Sequence, residues 1–555
     1  MLTSPTTSLS ASRSAVLTKK GVVCSASALS GAVGAQVLRE GGNAFDAAIA
    51  TAAAETVVLP SKCGIGGELF ALIYEASTGK MYGVSGNGRA PMAASREFFI
   101  DKGYKQMPVE GPLSPSVPGE VHAWQTIAER FGTRHLGQLI RPAIELAEDG
   151  FPLAQHIARL FSESLGSAKV LADFPTSARV FLKEDGERYG PGDVLVQKDL
   201  ARSLRRIAEG GAEEFYKGEL AKEIAAGIAA AGGLIDEEDL AAQETIVYEN
   251  PPSVEFHGHE VFATGLPSHG PLTLEIMSLL DGFDLAASGH NTVETIHTMV
   301  EAKRLAFADR LAYIGDPDFI DVPMDELLSK EYAAKRRAAV DTAHMADIVA
   351  AGELAYSGSH SESTSYFCVI DSQGNAVSFI HSLSTYFGSG FVPGETGILL
   401  NNRAGHCFSL DEGHPNVIAS GKKTINTIHS YMVKKGDDLV FLGGTPGGDS
   451  QPQWNAQVMS NLIDHGMTVQ EAADAPRWMH TPGTYPHGID NPMELRLEDG
   501  IDEAVLEGLT ALGHNILPYP RATVPGNVQL IAIDPETGVR AGATDRRCDG
   551  YPIPE

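Results

Sequence analysis

Hydroxyl side chains crowd the start of one β-rich hairpin. Ser361, Ser363, Thr364 and Ser365 lead into a β-rich run over 366–370. Asp371-Ser372-Gln373-Gly374-Asn375 supplies a turn, and a second β-rich run covers 376–380. A threonine hydroxyl is a weak nucleophile and needs an adjacent base. If the chain is cut between Ser363 and Thr364, the new α-amino group lies within hydrogen-bond reach of its own Oγ. Its reference pKa is about 8, and a site that draws it toward neutrality makes it a better base. The cut would divide the chain into a large fragment, 1–363, and a small one, 364–555. Hydroxyl-rich loops that enter strands are common, so this stretch alone fits a nucleophile or a polar loop. Further on, a strand over 440–444 runs into Thr445-Pro446-Gly447-Gly448. Glycine lets backbone come close to a reacting group, so the N–H groups of Gly447 and Gly448 can form an oxyanion hole.

The wider pattern decides between the two readings of the hairpin. Gly41-Gly42-Asn43-Ala44-Phe45-Asp46-Ala47-Ala48, Gly64-Ile65-Gly66-Gly67, Gly88-Arg89-Ala90-Pro91 and Val117-Pro118-Gly119 are followed by Gly315-Asp316-Pro317-Asp318. Then come Thr364 with Asp371-x-x-Gly374-Asn375-Ala376-Val377, Gly397-Ile398-Leu399-Leu400-Asn401-Asn402, Pro446-Gly447-Gly448 and Ala475-Pro476-Arg477-Trp478. In this order, over nearly the whole length, the chain resembles the γ-glutamyltransferase family of N-terminal-nucleophile hydrolases. The resemblance implies a four-layer αββα sandwich, with two stacked antiparallel sheets between helical layers. It also implies autocleavage before Thr364 and an acyl-enzyme on that residue. Ser382 takes the place of a family Thr that hydrogen-bonds the nucleophile. Arg89 takes the place of the Arg that binds the substrate carboxylate, for which a guanidinium fork is suited. Asn426-Thr427 falls where the family has a Ser-Ser pair holding that carboxylate. His269, in the loop 266–271, is expected to cap or brace rather than catalyse, because the family mechanism needs no His.

Three positions depart from the family. After the Asn-Asn pair most γ-glutamyl enzymes carry Gln and, three residues later, an Asp that holds the substrate α-ammonium; here these are Arg403 and His406. The family's substrate-binding Asn on the adjacent strand is Ser384. Arg89, Arg403 and His406 together suggest a locally positive site without an ammonium receptor, since Arg cannot pair with an ammonium and a protonated His repels it. The expected substrate is a small amide with a carboxylate and no free α-amino group: an acylamino acid, an oxamate-type half-amide or the acyl side chain of a lactam antibiotic. A true γ-glutamyltransferase acting on glutathione is the alternative within the family. An uncleaved binding protein is the alternative outside it.

The remaining elements read as scaffold. Asn43 is a helix N-cap for 44–57. The glycine cluster at 64–67 lacks a following Lys-Ser/Thr and is no phosphate loop; a tight turn beneath the site is expected. Helical spacing recurs over 123–131, 136–148 (interrupted by Pro142), 200–209 and 220–231, with a long amphipathic helix over 292–314 and a further helical stretch over 334–350. A polar loop over 352–362 would precede the cut. The net charge of −29 disfavours nucleic acid and anionic membrane as partners. Five scattered cysteines without a C-x-x-C pair point to a reducing compartment, no disulfide framework and no zinc. No cofactor is expected. The N-terminal twenty residues lack an apolar signal core, so a cytoplasmic location is expected. The partners expected are the small-molecule amide and the two fragments as a heterodimer, or a dimer of such heterodimers.

Overall fold

The computed structural model describes residues 13–162, 165–346, 349, 363–488, 492–521 and 524–555. Residues 350–362, which hold the polar loop expected before the cut, fall outside these. Fourteen strands form the centre of the molecule: β1 (Val16–Thr18), β2 (Val22–Cys24), β3 (Glu68–Glu75), β4 (Lys80–Gly86), β5 (Ile246–Glu249), β6 (Ser253–Phe256), β7 (His259–Ala263), β8 (Ser363–Ile370), β9 (Ala376–Ser384), β10 (Tyr431–Lys435), β11 (Asp438–Gly444), β12 (Gln529–Ile533), β13 (Arg540–Thr544) and β14 (Pro552–Pro554). They make two seven-stranded sheets, in the orders β14-β2-β8-β9-β3-β4-β5 and β1-β13-β12-β11-β10-β7-β6. Every pairing in both sheets is antiparallel.

Alternation along the strands builds the layers. In β8, Tyr366, Cys368 and Ile370 face the second sheet, where Met432, Leu442 and Ile531 meet them. Phe367 and Val369 point the other way, among residues of the helices Ala28–Arg39 and Ala44–Val58. The outer face of the second sheet, with Val433, Phe441 and Leu530, is covered by the helices Gly270–Leu280, Val293–Tyr313 and Ser450–Ile463. This is the αββα arrangement, with one apolar layer between the sheets and one under each helical cover. Each fully buried large apolar side chain contributes about 1.5–3 kcal/mol.

Local chemistry sets the ends of these elements. Asn43 accepts from the N–H groups of Phe45 and Asp46, and the Asp46 carboxylate returns to Asn43 N, so the helix Ala44–Val58 begins with a capping box. Between β8 and β9, Asp371 Oδ1 accepts from Gln373 N and Asn375 N, while Oδ2 accepts from Ala44 N at 2.9 Å, joining the hairpin turn to that helix. Pro142 sits in the first turn of the helix Arg141–Asp149, where its missing N–H costs nothing, so the stretch is two helices: Leu136–Leu139 and its successor.

Two helical expectations change. The helix Val293–Tyr313 is not amphipathic with a solvated face. It is enclosed along most of its length, and its polar side chains are paired: Arg304 with Glu301 at 2.7 Å, Asp309 with Arg336 at 2.9 Å, and Lys303 with the Pro482 carbonyl at 2.7 Å. Charged residues in its sequence report buried partners rather than water. Of the helix expected over 334–350, part of which lies outside the described residues, only the short Lys330–Arg337, capped by Ser329, is helical among the described residues. Arg336 and Arg337 tie it sideways to Asp309 and the Ser278 carbonyl, and Met345 N donates instead to Leu512 O.

Candidate active site

Thr364 lies at the first turn of pleat in β8 and is buried, 2% exposed. The register with β9 slips here. Ser363 faces Ser384 and Ser365 faces His381, so Thr364 alone is opposed by two residues, Ser382 and Leu383, and the bulge is carried by β9. Its side chain shares the inter-sheet face with Tyr366, and its Oγ1 is 3.2 Å from Ser382 Oγ. Ser382 Oγ also accepts from Ser384 N at 2.8 Å. Ser384 closes β9 with φ of 82°, a left-handed conformation that a non-glycine residue adopts at a cost of about 1–3 kcal/mol. That bend sends its Oγ to His406 Nδ1 at 3.0 Å.

Glu68, a residue the sequence did not single out, stands directly opposite Ser382 in β3. Its Oε1 accepts from Arg403 Nε. Burial opposes the Arg403 charge, but the Glu68 carboxylate outweighs it and holds the guanidinium well above its ordinary value. Arg403 Nη1 donates to Thr427 Oγ1 at 3.3 Å, and the Tyr485 hydroxyl donates to the same oxygen at 2.7 Å. The Tyr485 ring stacks on His406, centroids 4.0 Å apart. A polar circuit thus runs Thr364, Ser382, Ser384, His406, Tyr485, Thr427, Arg403, Glu68 and back across the β9–β3 register to Ser382. Arg403 Nη2, Glu68 Oε2 and Asn426 Nδ2 are buried without hydrogen-bond partners among the described residues, so donors and one acceptor are left for a ligand. Asn426 itself is fixed by N–H donation to the Pro267 carbonyl at 2.8 Å and by its Oδ1 accepting from Ile428 N.

The expected local positive charge is corrected by these pairings. Arg403 is matched by Glu68. Arg89 donates to Glu244 at 2.9 Å and to Asp318 at 3.4 Å. Partial burial opposes the Arg89 charge, and these two carboxylates outweigh it. Neither guanidinium is an isolated cation, because each meets an acid contributed by a sequence-distant segment.

The turn Thr445–Gly448 continues from Gly444, where a Cβ would overlap the ring of Tyr366, two residues after Thr364 in β8. Gly447 has φ of 132°, and a Cβ there would overlap the Trp454 ring. The Gln451 carboxamide, with its oxygen toward Gly448, accepts from Gly448 N at 3.1 Å and donates to the Thr427 carbonyl at 3.3 Å. An oxyanion at Gly448 would therefore replace a Gln451 contact. Asp449 braces the turn by accepting from Thr484 N and Oγ1. His269 makes no side-chain cap to the helix it precedes; its Nδ1 lies 3.7 Å from Asp449, a bracing position. Burial, then the charge of Arg310, holds its pKa well below the usual value. The glycines at 66 and 67 let the chain pass under the site: Cβ atoms there would overlap the Leu399 and Ser382 carbonyls. Asn401 ties this turn down, its Nδ2 donating to Gly66 O at 2.9 Å.

On the opposite face of β9, His381 is held between Glu55 and Glu120, each at 2.9 Å. Burial disfavours its charge, yet Cys63 and Glu120 offset this and keep the imidazolium well above the usual histidine range. Glu55, Cys63 and His381 bring potential ligand atoms within 4.8 Å of one another, but both imidazole nitrogens are already used by carboxylates. Among the described residues no helix is long and apolar enough to cross a membrane.

Comparison with known proteins agrees with this architecture. Residues 30–554 match the family model for gamma-glutamyltranspeptidase. The chain is 35% identical over 548 residues to a glutathione hydrolase proenzyme of Escherichia coli, covering 96% of this chain and 91% of that one. It is 34% identical over 546 residues to an acylase ACY 1 proenzyme of Pseudomonas sp. strain SE83, covering 96% and 93%. The crystal structure of cephalosporin acylase from Bacillus halodurans superposes with a TM-score of 0.88 at 35% identity, over 100% of this chain and 99% of that one. With the stacked antiparallel sheets and the matched length together, this chain is an enzyme of the γ-glutamyltranspeptidase family.

Proposed function

We propose that the chain cleaves itself between Ser363 and Thr364 and then hydrolyses a small carboxylate-bearing amide that lacks a free α-amino group. The observation that carries the reading is the buried Thr364 hydroxyl, at the start of β8 opposite a bulge in β9 and 3.2 Å from Ser382 Oγ. In the first stage Thr364 Oγ attacks the Ser363 carbonyl, the acyl group moves from nitrogen to oxygen, and water hydrolyses the ester. In the second, the freed amine takes the Oγ proton as Oγ attacks the substrate amide. The N–H groups of Gly447 and Gly448 receive the oxyanion. The amine leaves with a proton, and water releases the acid from the acyl-enzyme. Arg403 Nη2, Asn426 and Thr427 are the candidate carboxylate contacts, and Arg89, paired with Glu244 and Asp318, is a further candidate. The position where an ammonium receptor would stand is His406, stacked on Tyr485 and bonded to Ser384.

A second reading, γ-glutamyl transfer or glutathione hydrolysis, is favoured by one observation: Glu68 keeps an unpartnered carboxylate oxygen beside Ser382, and that oxygen could accept from an α-ammonium. A substrate panel separates them. N-acyl and half-amide carboxylates are expected to exceed γ-glutamyl-p-nitroanilide in kcat/KM by at least ~10-fold, about 1.4 kcal/mol. Equal or faster γ-glutamyl turnover overturns the substrate assignment and leaves the threonine chemistry standing.

A further inference from the structure

All five cysteines are buried and free, but two of them are neighbours of a particular kind. Cys24 in β2 and Cys368 in β8 are direct register partners across an antiparallel ladder. Both side chains lie in the apolar layer between the sheets. Cys24 Sγ donates to the Leu530 carbonyl at 3.4 Å, and a Cβ at Gly542 would touch the same sulfur, so the second sheet closes over the pair. Directly opposed antiparallel residues have Cα atoms about 4.5–5.5 Å apart. That spacing lies inside the range of about 4.4–6.8 Å that disulfides occupy, so the register sets the two cysteines at a backbone separation a disulfide spans.

We propose that Cys24 and Cys368, free thiols as the chain stands, join under oxidising conditions in a disulfide that links the large and small fragments of the mature enzyme. Cys24 lies before the cut and Cys368 four residues after its first residue, so the bond would tie an N-terminal strand to the strand that carries the nucleophile. The reaction is exchange with a small-molecule disulfide. One cysteine, as thiolate, attacks the reagent and releases one thiol; the second attacks the mixed disulfide and releases the other. The Sγ–Sγ bond forms, the reagent S–S bond breaks, and the two cysteine protons end on the two released thiols. Burial pushes the Cys368 thiol well above its ordinary value, so thiolate is scarce and exchange in the closed protein is slow. The inference rests on the proposed cut only for its readout by size.

The test treats purified enzyme with oxidised glutathione, both in native buffer and in moderate urea, blocks remaining thiols with N-ethylmaleimide, and runs denaturing gels with and without reductant. A joined band near the 58.8 kDa of the whole chain is expected without reductant, resolving into two with it. The band should persist in Cys63→Ala, Cys407→Ala and Cys548→Ala and disappear in Cys24→Ala. Two bands in every oxidised lane, or a joined band that survives Cys24→Ala, overturns the proposal. A single band even in the reduced lane reports an uncut chain; peptide mapping for the Cys24–Cys368 linkage then decides the disulfide separately.

Discussion

At the residue scale, the site is arranged around compensation. Arg403 occupies a position where the family resemblance implied Gln, and it is tolerable in a buried site because Glu68 meets it from the neighbouring strand. Removing one member of a buried pair leaves the other uncompensated, at about 3–5 kcal/mol. Glu68→Gln is therefore expected to lower unfolding stability by that order in urea titrations, and the double variant with Arg403→Met to recover part of it. No loss in Glu68→Gln would show that the pair is not a structural unit. Neither Glu68 nor Tyr485 was legible from its neighbours in the chain. Glu68 gains its meaning from standing opposite Ser382, and Tyr485 from its contacts with Thr427 and His406. Thr364, Gly447 and Gly448, by contrast, announce themselves through residue type and local setting.

At the element scale, the same division holds. The hairpin of β8 and β9 was readable because alternation and the Asp371–Asn375 turn are local properties. The helix Val293–Tyr313 reads as amphipathic in sequence, whereas its charged residues are paired across the fold. A related case is Glu275 in the helix Gly270–Leu280. Burial, then the charge of Asp309, holds its carboxyl well above the usual range, so the folded state keeps a proton that the unfolded chain gives up near pH 4.5. Stability from this group is full below that pH and declines as pH rises above it. Glu275→Gln, which cannot ionise, is expected to gain on the wild type as pH is raised from about 4.5 in paired urea titrations. A difference that stays flat or reverses would contradict the assignment.

At the scale of the whole molecule, the proposed fragments interlock. β8 and β9, from the segment after the cut, lie between β2 and β3 from the segment before it; β10 to β13 lie between β1 and β7 in the other sheet. The fragments should co-elute in gel filtration and part only in denaturant, whereas separation in native buffer would contradict the shared sheets. This interleaving also explains why the αββα class came from ordered motifs rather than composition: strand order is a property of long-range pairing. The central claim is that cleavage makes Thr364 both nucleophile and base, and intact-mass analysis of denatured wild type and Thr364→Ala, assayed side by side, tests it most directly. The expected result is a wild-type small fragment beginning at Thr364, and a Thr364→Ala chain that stays whole and turns over no amide. A Thr364→Ala protein that still splits at that bond and still hydrolyses amides would contradict it.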